Sequence, residues 1–286
     1  MIERCRDAFP IRMMCHRLGV SPSGYYEWRD RPPSRRAIVN ERLVERIREF
    51  HAASDGVLGR RRICDDLRDE GETVSINRVG RLMSGAGLYG IPQRKRWRGK
   101  RSAPRPASVA NHLQRDFAAS DPNTKWATDI SYVPTGEQWL YLCIVIDLHS
   151  RLVVGWSMSA VQDRQLVVQA VLMALWQRQD RGPVILHSDR GTQFTSDEYQ
   201  RFLKGHHFVC SMSSVGCCAD NALVEGFFGM LKRERVNRRY YSTRADARAD
   251  IFDYIERFYN PRMQRRLERR QQEENSLNST VRRNGA

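Results

Sequence analysis

The sequence predicts a mixed α/β protein, with helices on both faces of a five-stranded mixed sheet, preceded by a small all-α domain of helix-turn-helix character. Three observations predict it. Five short runs of strand character lie between Trp126 and Met212, the first three in succession and the last two alternating with helical patterns, an order that suits a mixed sheet covered on both sides. Ahead of them, residues 35–91 repeat apolar side chains at helical spacing. Between the two parts lies a basic stretch rich in Pro, Gly and Ser without apolar period, which reads as a flexible linker.

Residues 1–34 read as a partial helix-turn-helix-like segment. After the Gly19 turn, Ser21 serves as N-cap and Pro22 as first helical residue, so a short helix begins there. It is either the second half of a helix-turn-helix or a plain capped surface helix. In residues 35–91, Leu43, Val44, Ile47 and Phe50 mark a first helix from Ile38 to Phe50. A second spans Arg60 to Asp69 with Ile63 and Leu67 inward. The turn from Gly71 to Val74 leads to Ser75, a good N-cap, and a third helix bearing Ile76, Val79, Leu82 and Met83. A tight turn before the last of three helices has helix-turn-helix character. It directs Asn77, Arg78 and Arg81 outward on a candidate recognition helix. In the linker, residues 92–114, the side chains of Arg94, Lys95, Arg96, Arg98, Lys100 and Arg101 can track phosphates, with Trp97 available to stack on a base.

Residues 115–262 form the α/β domain. Trp126–Val133 reads as a strand, and Trp139 to Asp147 is almost wholly apolar, as in a strand covered on both faces. A turn at His149-Ser150-Arg151 joins it to Leu152–Trp156 as a hairpin. Leu166–Trp176 reads as a buried helix and Val184–Asp189 as the next strand. Thr195-Ser196-Asp197-Glu198 fits a capping box opening a helix through Tyr199, Phe202 and Leu203. Val209–Met212 is the last strand. The helix from Ala222 to Lys232 gathers Leu223, Phe227, Phe228, Met230 and Leu231 on one broad apolar face. Residues 263–286 are a basic, polar tail, read either as a helix over DNA or as disordered.

Charge separates the two halves. The 286 residues carry 48 Lys and Arg against 33 Asp and Glu, a net +15, of which residues 1–115 hold +12 and the remainder +3. A basic front half ahead of a near-neutral one points to a nucleic-acid-gripping region joined to a catalytic one. Seven cysteines, an odd number without CxxC spacing, fit a reducing compartment rather than a disulfide framework. The charged opening is no signal peptide, and the apolar runs are too short to span a membrane. The expectation is a soluble, cytoplasmic, nucleoid-associated protein. His206, His207, Cys210, Cys217 and Cys218 fit no standard four-ligand zinc spacing.

Three carboxylates stand in unusual places, with 59 and 35 residues between them. Asp129 interrupts a strand, where Asp is disfavoured and needs a partner, a metal or water. Asp189 ends an apolar strand, and Glu225 lies on the last helix. Such acids converge only if something offsets their repulsion, because like charges raise one another's pKa unless a cation neutralises them. Oxygen-only ligands favour Mg²⁺ or Mn²⁺ over zinc. Asn221, Glu225 and Lys232 share a narrow stripe at the edge of the apolar face, so Lys232 is a candidate phosphate contact and Asn221 a candidate to orient Glu225 or the phosphate. Gly226 and Gly229 leave room for DNA. Arg190 and Gln193 follow Asp189 in a loop suited to touching DNA. His187 either supports the acids or is simply packed, and Asp147 reads as a turn-entry residue.

The segments Trp126-Ala127-Thr128-Asp129-Ile130-Ser131-Tyr132, His187-Ser188-Asp189-Arg190-Gly191-Thr192-Gln193-Phe194-Thr195-Ser196 and Asp220-Asn221-Ala222-Leu223-Val224-Glu225-Gly226-Phe227-Phe228-Gly229-Met230-Leu231-Lys232 closely resemble transposases of bacterial insertion sequences, of the OrfB type in the insertion-sequence-three family. The resemblance covers nearly the whole chain. It implies a ribonuclease-H-like integrase core whose DDE triad, here Asp129, Asp189 and Glu225, holds two Mg²⁺ or Mn²⁺ ions. The implied activity is metal-dependent cleavage at element ends and strand transfer into target DNA, by way of a circular intermediate. Double-stranded DNA, a homo-oligomer on that DNA and an OrfA-type partner or fusion are the implied partners. A decayed copy acting as a catalytically inactive DNA-binding regulator, and a nuclease that never joins strands, are the rival readings. Gly226 stands where Ser commonly follows the catalytic Glu, Cys217 and Ala219 replace more usual residues, and the sequence after Pro261 departs from the common pattern.

Overall fold

The computed structural model describes residues 1–92, 119–178, 182–189, 191–212 and 222–284. Helices α1 (Ile11–Arg17) and α2 (Pro22–Asp30) pack against each other. As the sequence predicts, Ser21 caps α2 by accepting from the Gly24 N–H at 3.4 Å, and Pro22 opens it. Next come α3 (Arg35–Ala53), α4 (Arg60–Asp69) and α5 (Ile76–Gly85), the helix-turn-helix-like unit. Ser34 and Ser75 cap α3 and α5, accepting from the N–H groups of Ala37 and Arg78. Leu43, Ile47, Ile63, Leu67, Val79 and Met83 are buried at its centre, and this core runs unbroken into that of the α/β domain.

The sheet has the order β3-β2-β1-β4-β5. Strands β1 (Lys125–Thr135), β2 (Gln138–Asp147) and β3 (Val153–Ser159) form an antiparallel meander, while β4 (Val184–Ser188) and β5 (Phe208–Met212) lie parallel to β1. This is the predicted mixed five-stranded sheet in a ribonuclease-H-like arrangement. Period-two alternation sends Trp126, Cys143 and Val145 to one face, under α6 (Arg164–Gln177) and α8 (Asp197–Gly205). Ala127, Ile144 and Ile146 go to the other, under α9 (Ala222–Glu234). Both faces are therefore covered, which accounts for the apolar run along β2. Asp147 is buried and closes the β2–β3 turn, accepting from the N–H groups of Asn123 and Ser150 and from the Ser150 hydroxyl at 2.6 Å.

Gly155 shows how closely α6 lies on the sheet. A Cβ there would stand 2.2 Å from the Ala170 carbonyl oxygen and 2.8 Å from the Ala174 Cβ. Gly155→Val is therefore expected to lift α6 from β3 and destabilise the fold by about 3 kcal/mol or more, read from the urea midpoint. A midpoint unchanged from wild type would contradict this packing.

The capping box expected at Thr195 is displaced. Thr195 ends a short helix, α7 (Thr192–Thr195), and Ser196 caps α8 by accepting from the Tyr199 N–H. With Tyr199 at the third helical position, no acid can return the reciprocal bond, and Glu198 pairs with Arg164 at 2.7 Å instead.

Beyond α9 lies a helical run that the sequence reading did not delimit. It comprises α10 (Arg244–Phe252), a π-helical turn at Asp253–Tyr259 and α11 (Asn260–Asn284). Pro261 has no N–H for the carbonyl four residues back and its ring crowds that carbonyl, so the helix widens just before it. The widened turn buries Tyr254, Ile255, Phe258 and Tyr259, with Tyr254 and Tyr259 edge-on to Phe227 of α9. Asn260 then reaches the outer edge of the sheet, where its amide accepts from the Val153 N–H at 3.0 Å and donates to the Val153 carbonyl at 2.9 Å.

Candidate active site

Sheet register brings the first two acids together. The parallel pairing of β1 with β4 ends at Ala127 opposite His187. Two residues further along each chain segment are Asp129, still within β1, and Asp189, just past the end of β4. Both lie at the carboxyl end of the parallel pairing, the side on which ligands bind in open α/β sheets. Asp129 is partly buried, and its Oδ1 accepts from the Ile130 N–H at 2.8 Å. Asp189 Oδ1 accepts from the Gly191 N–H at 2.9 Å. That loop is tight, since a Cβ on Gly191 would lie 3.1 Å from this same oxygen.

Helix α9 brings the third acid. Val224, Phe227, Phe228 and Leu231 are buried against the sheet, and Glu225 in the first turn sits partly buried at their edge. Gly226 and Gly229 are exposed, with nothing within 4 Å of where a Cβ would stand, so the helix leaves open space beside the acids. Lys232 places its Nζ 4.6 Å from the centre of the Tyr132 ring on β1.

Electrostatics registers the meeting of these side chains. Burial, then the neighbouring Asp189, pushes the Asp129 acid up from 3.8 to about 7; Glu225 raises it further, while the Ile130 N–H and Lys232 pull it down. Asp129 thus feels both other acids and the lysine. Beneath them, His187 is fully buried, with Nδ1 3.0 Å from the Ser211 hydroxyl of β5.

Among the described residues, no three His, Cys, Asp or Glu side chains form a group that could hold one ion. That applies to His206, His207 and Cys210 as well; Cys217 and Cys218 lie outside the described residues. The donors that meet electrostatically are carboxylates alone, a set suited to Mg²⁺ or Mn²⁺, and a carboxyl whose acid form is favoured by burial and then by its neighbours is one that a cation would relieve. As a donor set, these carboxylates are of the kind that suits a hard divalent ion.

The candidate DNA contacts fall into three groups. Asn77 and Arg81 are exposed on α5. Arg78 departs from the expectation: its Nε and Nη2 donate to Asn40 Oδ1 on α3 at 3.1 and 2.8 Å, so it is half-buried against its own domain rather than pointing outward. Gln193, expected in a loop, lies instead on the short helix α7, half-buried, and donates to the Gln162 carbonyl. Arg94, Lys95, Arg96, Trp97, Arg98, Lys100, Arg101, Arg190 and Asn221 lie outside the described residues.

Sequence reasoning missed Glu234. It is 2% exposed at the far end of α9 and accepts from Arg62 Nη1 at 2.7 Å, Arg233 Nη2 at 2.8 Å and the Tyr254 hydroxyl at 2.9 Å. The signal was available, since Phe227, Leu231 and Glu234 share one helical stripe. An acid on a buried stripe demands a partner.

Comparison with known proteins agrees with this architecture. Residues 119–218 and 225–276 match two integrase core domain families, and residues 39–96 match an HTH-like domain. The fold and the site thus define an integrase-core protein that carries a helix-turn-helix-like unit. The chain is 41% identical over 261 residues to the transposase InsF for insertion sequence IS3A of Escherichia coli (strain K12), covering 91% of each. It is 37% identical over 230 residues to the transposase for insertion sequence element IS904 of Lactococcus lactis subsp. lactis (strain IL1403), covering 80% of this chain and 91% of that one. The chain belongs to the IS3 family of insertion-sequence transposases. Similar solved structures include the HTLV-2 integrase catalytic core domain in complex with magnesium, at 23% identity over 39% of this chain and 68% of that one, with a TM-score of 0.33. Another is the simian T-cell lymphotropic virus intasome in complex with PP2A regulatory subunit B56 gamma, at 13% identity, 72% and 66% coverage and a TM-score of 0.40. No described helix is long and apolar enough to cross a membrane.

Proposed function

We propose that this transposase binds the ends of its insertion sequence, cuts DNA there and joins the freed strand to a target, using Asp129, Asp189 and Glu225. The observation that carries the reading is the Asp129 carboxyl, pushed up to about 7 where burial, Asp189 and Glu225 act on it together. Such an arrangement is strained for a bare protein and suits one that holds cations.

Asp129 with Asp189 would hold one Mg²⁺ or Mn²⁺ ion and Asp129 with Glu225 a second. Bound there, the pair would ease deprotonation of the attacking oxygen and offset charge on the leaving one. The reaction is an in-line displacement at phosphorus. Water attacks first, breaking the bond to the 3′ oxygen at the element end; that 3′-hydroxyl then attacks a target phosphodiester, forming one P–O bond as another breaks. No side chain of the protein becomes covalently attached. Asp129 would hold the ions as its carboxylate, Asp189 is oriented by the Gly191 N–H, and Lys232 would set a positive charge where a phosphate passes. Asn77 and Arg81 would read the element end from α5, with Arg190, Gln193, Asn221 and the basic 94–101 stretch gripping the backbone. A homo-oligomer would hold two ends at once, and an OrfA-type partner or fusion would add further end recognition.

Purified protein, DNA labelled at an element end and Mg²⁺ form the test. Joined products support the proposal; cleavage without joining makes the protein a nuclease, and tight binding with neither makes it a regulator. Lys232→Ala is expected to weaken end binding and lower the slope of log affinity against log salt by about one. Lys232→Arg should retain the slope, and equal slopes for the alanine variant and wild type would remove Lys232 from the interface.

A further inference from the structure

Charged side chains tie the helix-turn-helix-like unit to the catalytic domain. On α4, Arg62, Asp65, Asp66 and Asp69 fall at i, i+3, i+4 and i+7, one stripe of the helix. Arg62 reaches the buried Glu234 at 2.7 Å and Met230 Sδ at 2.7 Å, both on α9. The three aspartates face α11: Arg262 approaches Asp66 at 3.3 Å, Arg266 approaches Asp65 at 3.1 Å, and Arg269 bonds Asp69. At the far end of α3, Asp55 is held by Arg235 at 3.4 Å and by Arg239 at 2.5 Å, and its carbonyl accepts from Arg238 at 2.9 Å. The unit is thus fastened through α4 and through the loop after α3.

This arrangement has a geometric consequence. Helix α5, bearing the exposed Asn77 and Arg81, packs on α4. Glu225 and Glu234 stand on the same helix α9, nine residues or about 13 Å apart along its axis. A contact between Arg62 and Glu234 therefore links the helix offered to the element end with the helix that carries an acid of the site, through rigid elements only. A linker alone would leave the two parts at variable spacing, the default where domains meet through small or polar surfaces. Here several pairs, three of them involving carboxylates nearly shut off from water (Glu234 and Asp66 at 2% and Asp69 at 3% side-chain exposure), fix the spacing.

We infer that Arg62 and Glu234, with the α4 aspartates and their α11 arginines, are positioning residues that set which phosphodiester is cut relative to the bound end. The inference rests on the proposed function. It assigns these residues no contact with DNA; they act by holding α5 at a fixed offset from the acids. Successive nucleotides on one strand are about 3.4 Å apart, so a few ångströms of slack at this interface moves the cut by about one nucleotide.

The test maps cut positions at single-nucleotide resolution on a labelled element end, with end affinity measured alongside. Wild type is expected to cut at one phosphodiester. Asp65→Arg, at a partly exposed pair where folding is least at risk, is expected to bind the end as wild type does while spreading the cuts to adjacent phosphodiesters. Adding Arg266→Asp should restore the single position, and Arg62→Gln should spread the cuts as Asp65→Arg does. Variants that cut more slowly but at the one wild-type position would reduce these pairs to a stabilising role and overturn the inference. A wild type that cuts no end DNA would overturn the proposed function and this inference together, whereas variants that keep the single cut overturn only the latter.

Discussion

Asp189→Asn is expected to lower strand joining by about 10³-fold or more, the factor that follows from losing some 4 kcal/mol of transition-state stabilisation at a metal-dependent site. Asparagine keeps the shape of the side chain and an oxygen for the Gly191 N–H, now 2.9 Å from Asp189 Oδ1, so the loop should hold its conformation. The charge alone is removed. End binding should persist, because α5 and the basic stretch before the sheet are untouched. A time course on labelled element-end DNA measures the loss, and a variant joining strands at a tenth of the wild-type rate or better would exclude Asp189 from the chemistry.

Asp129→Asn is expected to stabilise the metal-free protein at pH 8 while abolishing joining. The sign follows from the acid, raised from 3.8 to about 7. Below pH 4 folded and unfolded chains both carry the proton, and Asp129 contributes nothing. From pH 4 to 7 the folded chain keeps a proton that the unfolded chain has released, so stability falls as pH rises; above 7 the full cost remains, up to about 4 kcal/mol. Asparagine escapes that cost, so its advantage in thermal or urea unfolding should be near zero at pH 4 and largest at pH 8. Mg²⁺ should relieve the same cost in wild type, with a larger rise in melting temperature at pH 8 than at pH 5.5, where protons compete for the site. An advantage of asparagine that does not change with pH, or a Mg²⁺ effect that is larger in acid, would contradict an Asp129 acid raised in the folded chain.

Most of the fold was legible because its signals are local. Ser21 and Ser75 cap helices through bonds made within three residues, and the apolar run from Leu140 to Ile146 announces a strand covered on both sides. The three acids were legible as oddities of pattern, since a carboxylate inside a strand such as β1 has few structural uses. The displaced cap at Ser196 was misread because Thr195 and Ser196 are chemically equivalent, and only the backbone turn at α7 decides between them. Arg78 was misplaced because helical phase cannot show that Asn40, 38 residues away, draws it inward. For residues 263–286 the sequence left a helix and disorder both open, and the chain is helical there as far as Asn284; the helical run leading into it escaped for a related reason. Its apolar stripe changes phase at the π turn, so a search at one constant period loses it between Phe252 and Asn260.

Asn260 bears on how copies of this protein can associate. By occupying both polar groups of Val153 on the outermost strand, its amide takes the place a further strand would have filled at that residue. A neighbouring molecule seeking to lengthen the sheet at that point finds no donor or acceptor left to meet, which guards against edge-to-edge stacking. At that residue, self-association must then proceed through side chains rather than through a backbone ladder.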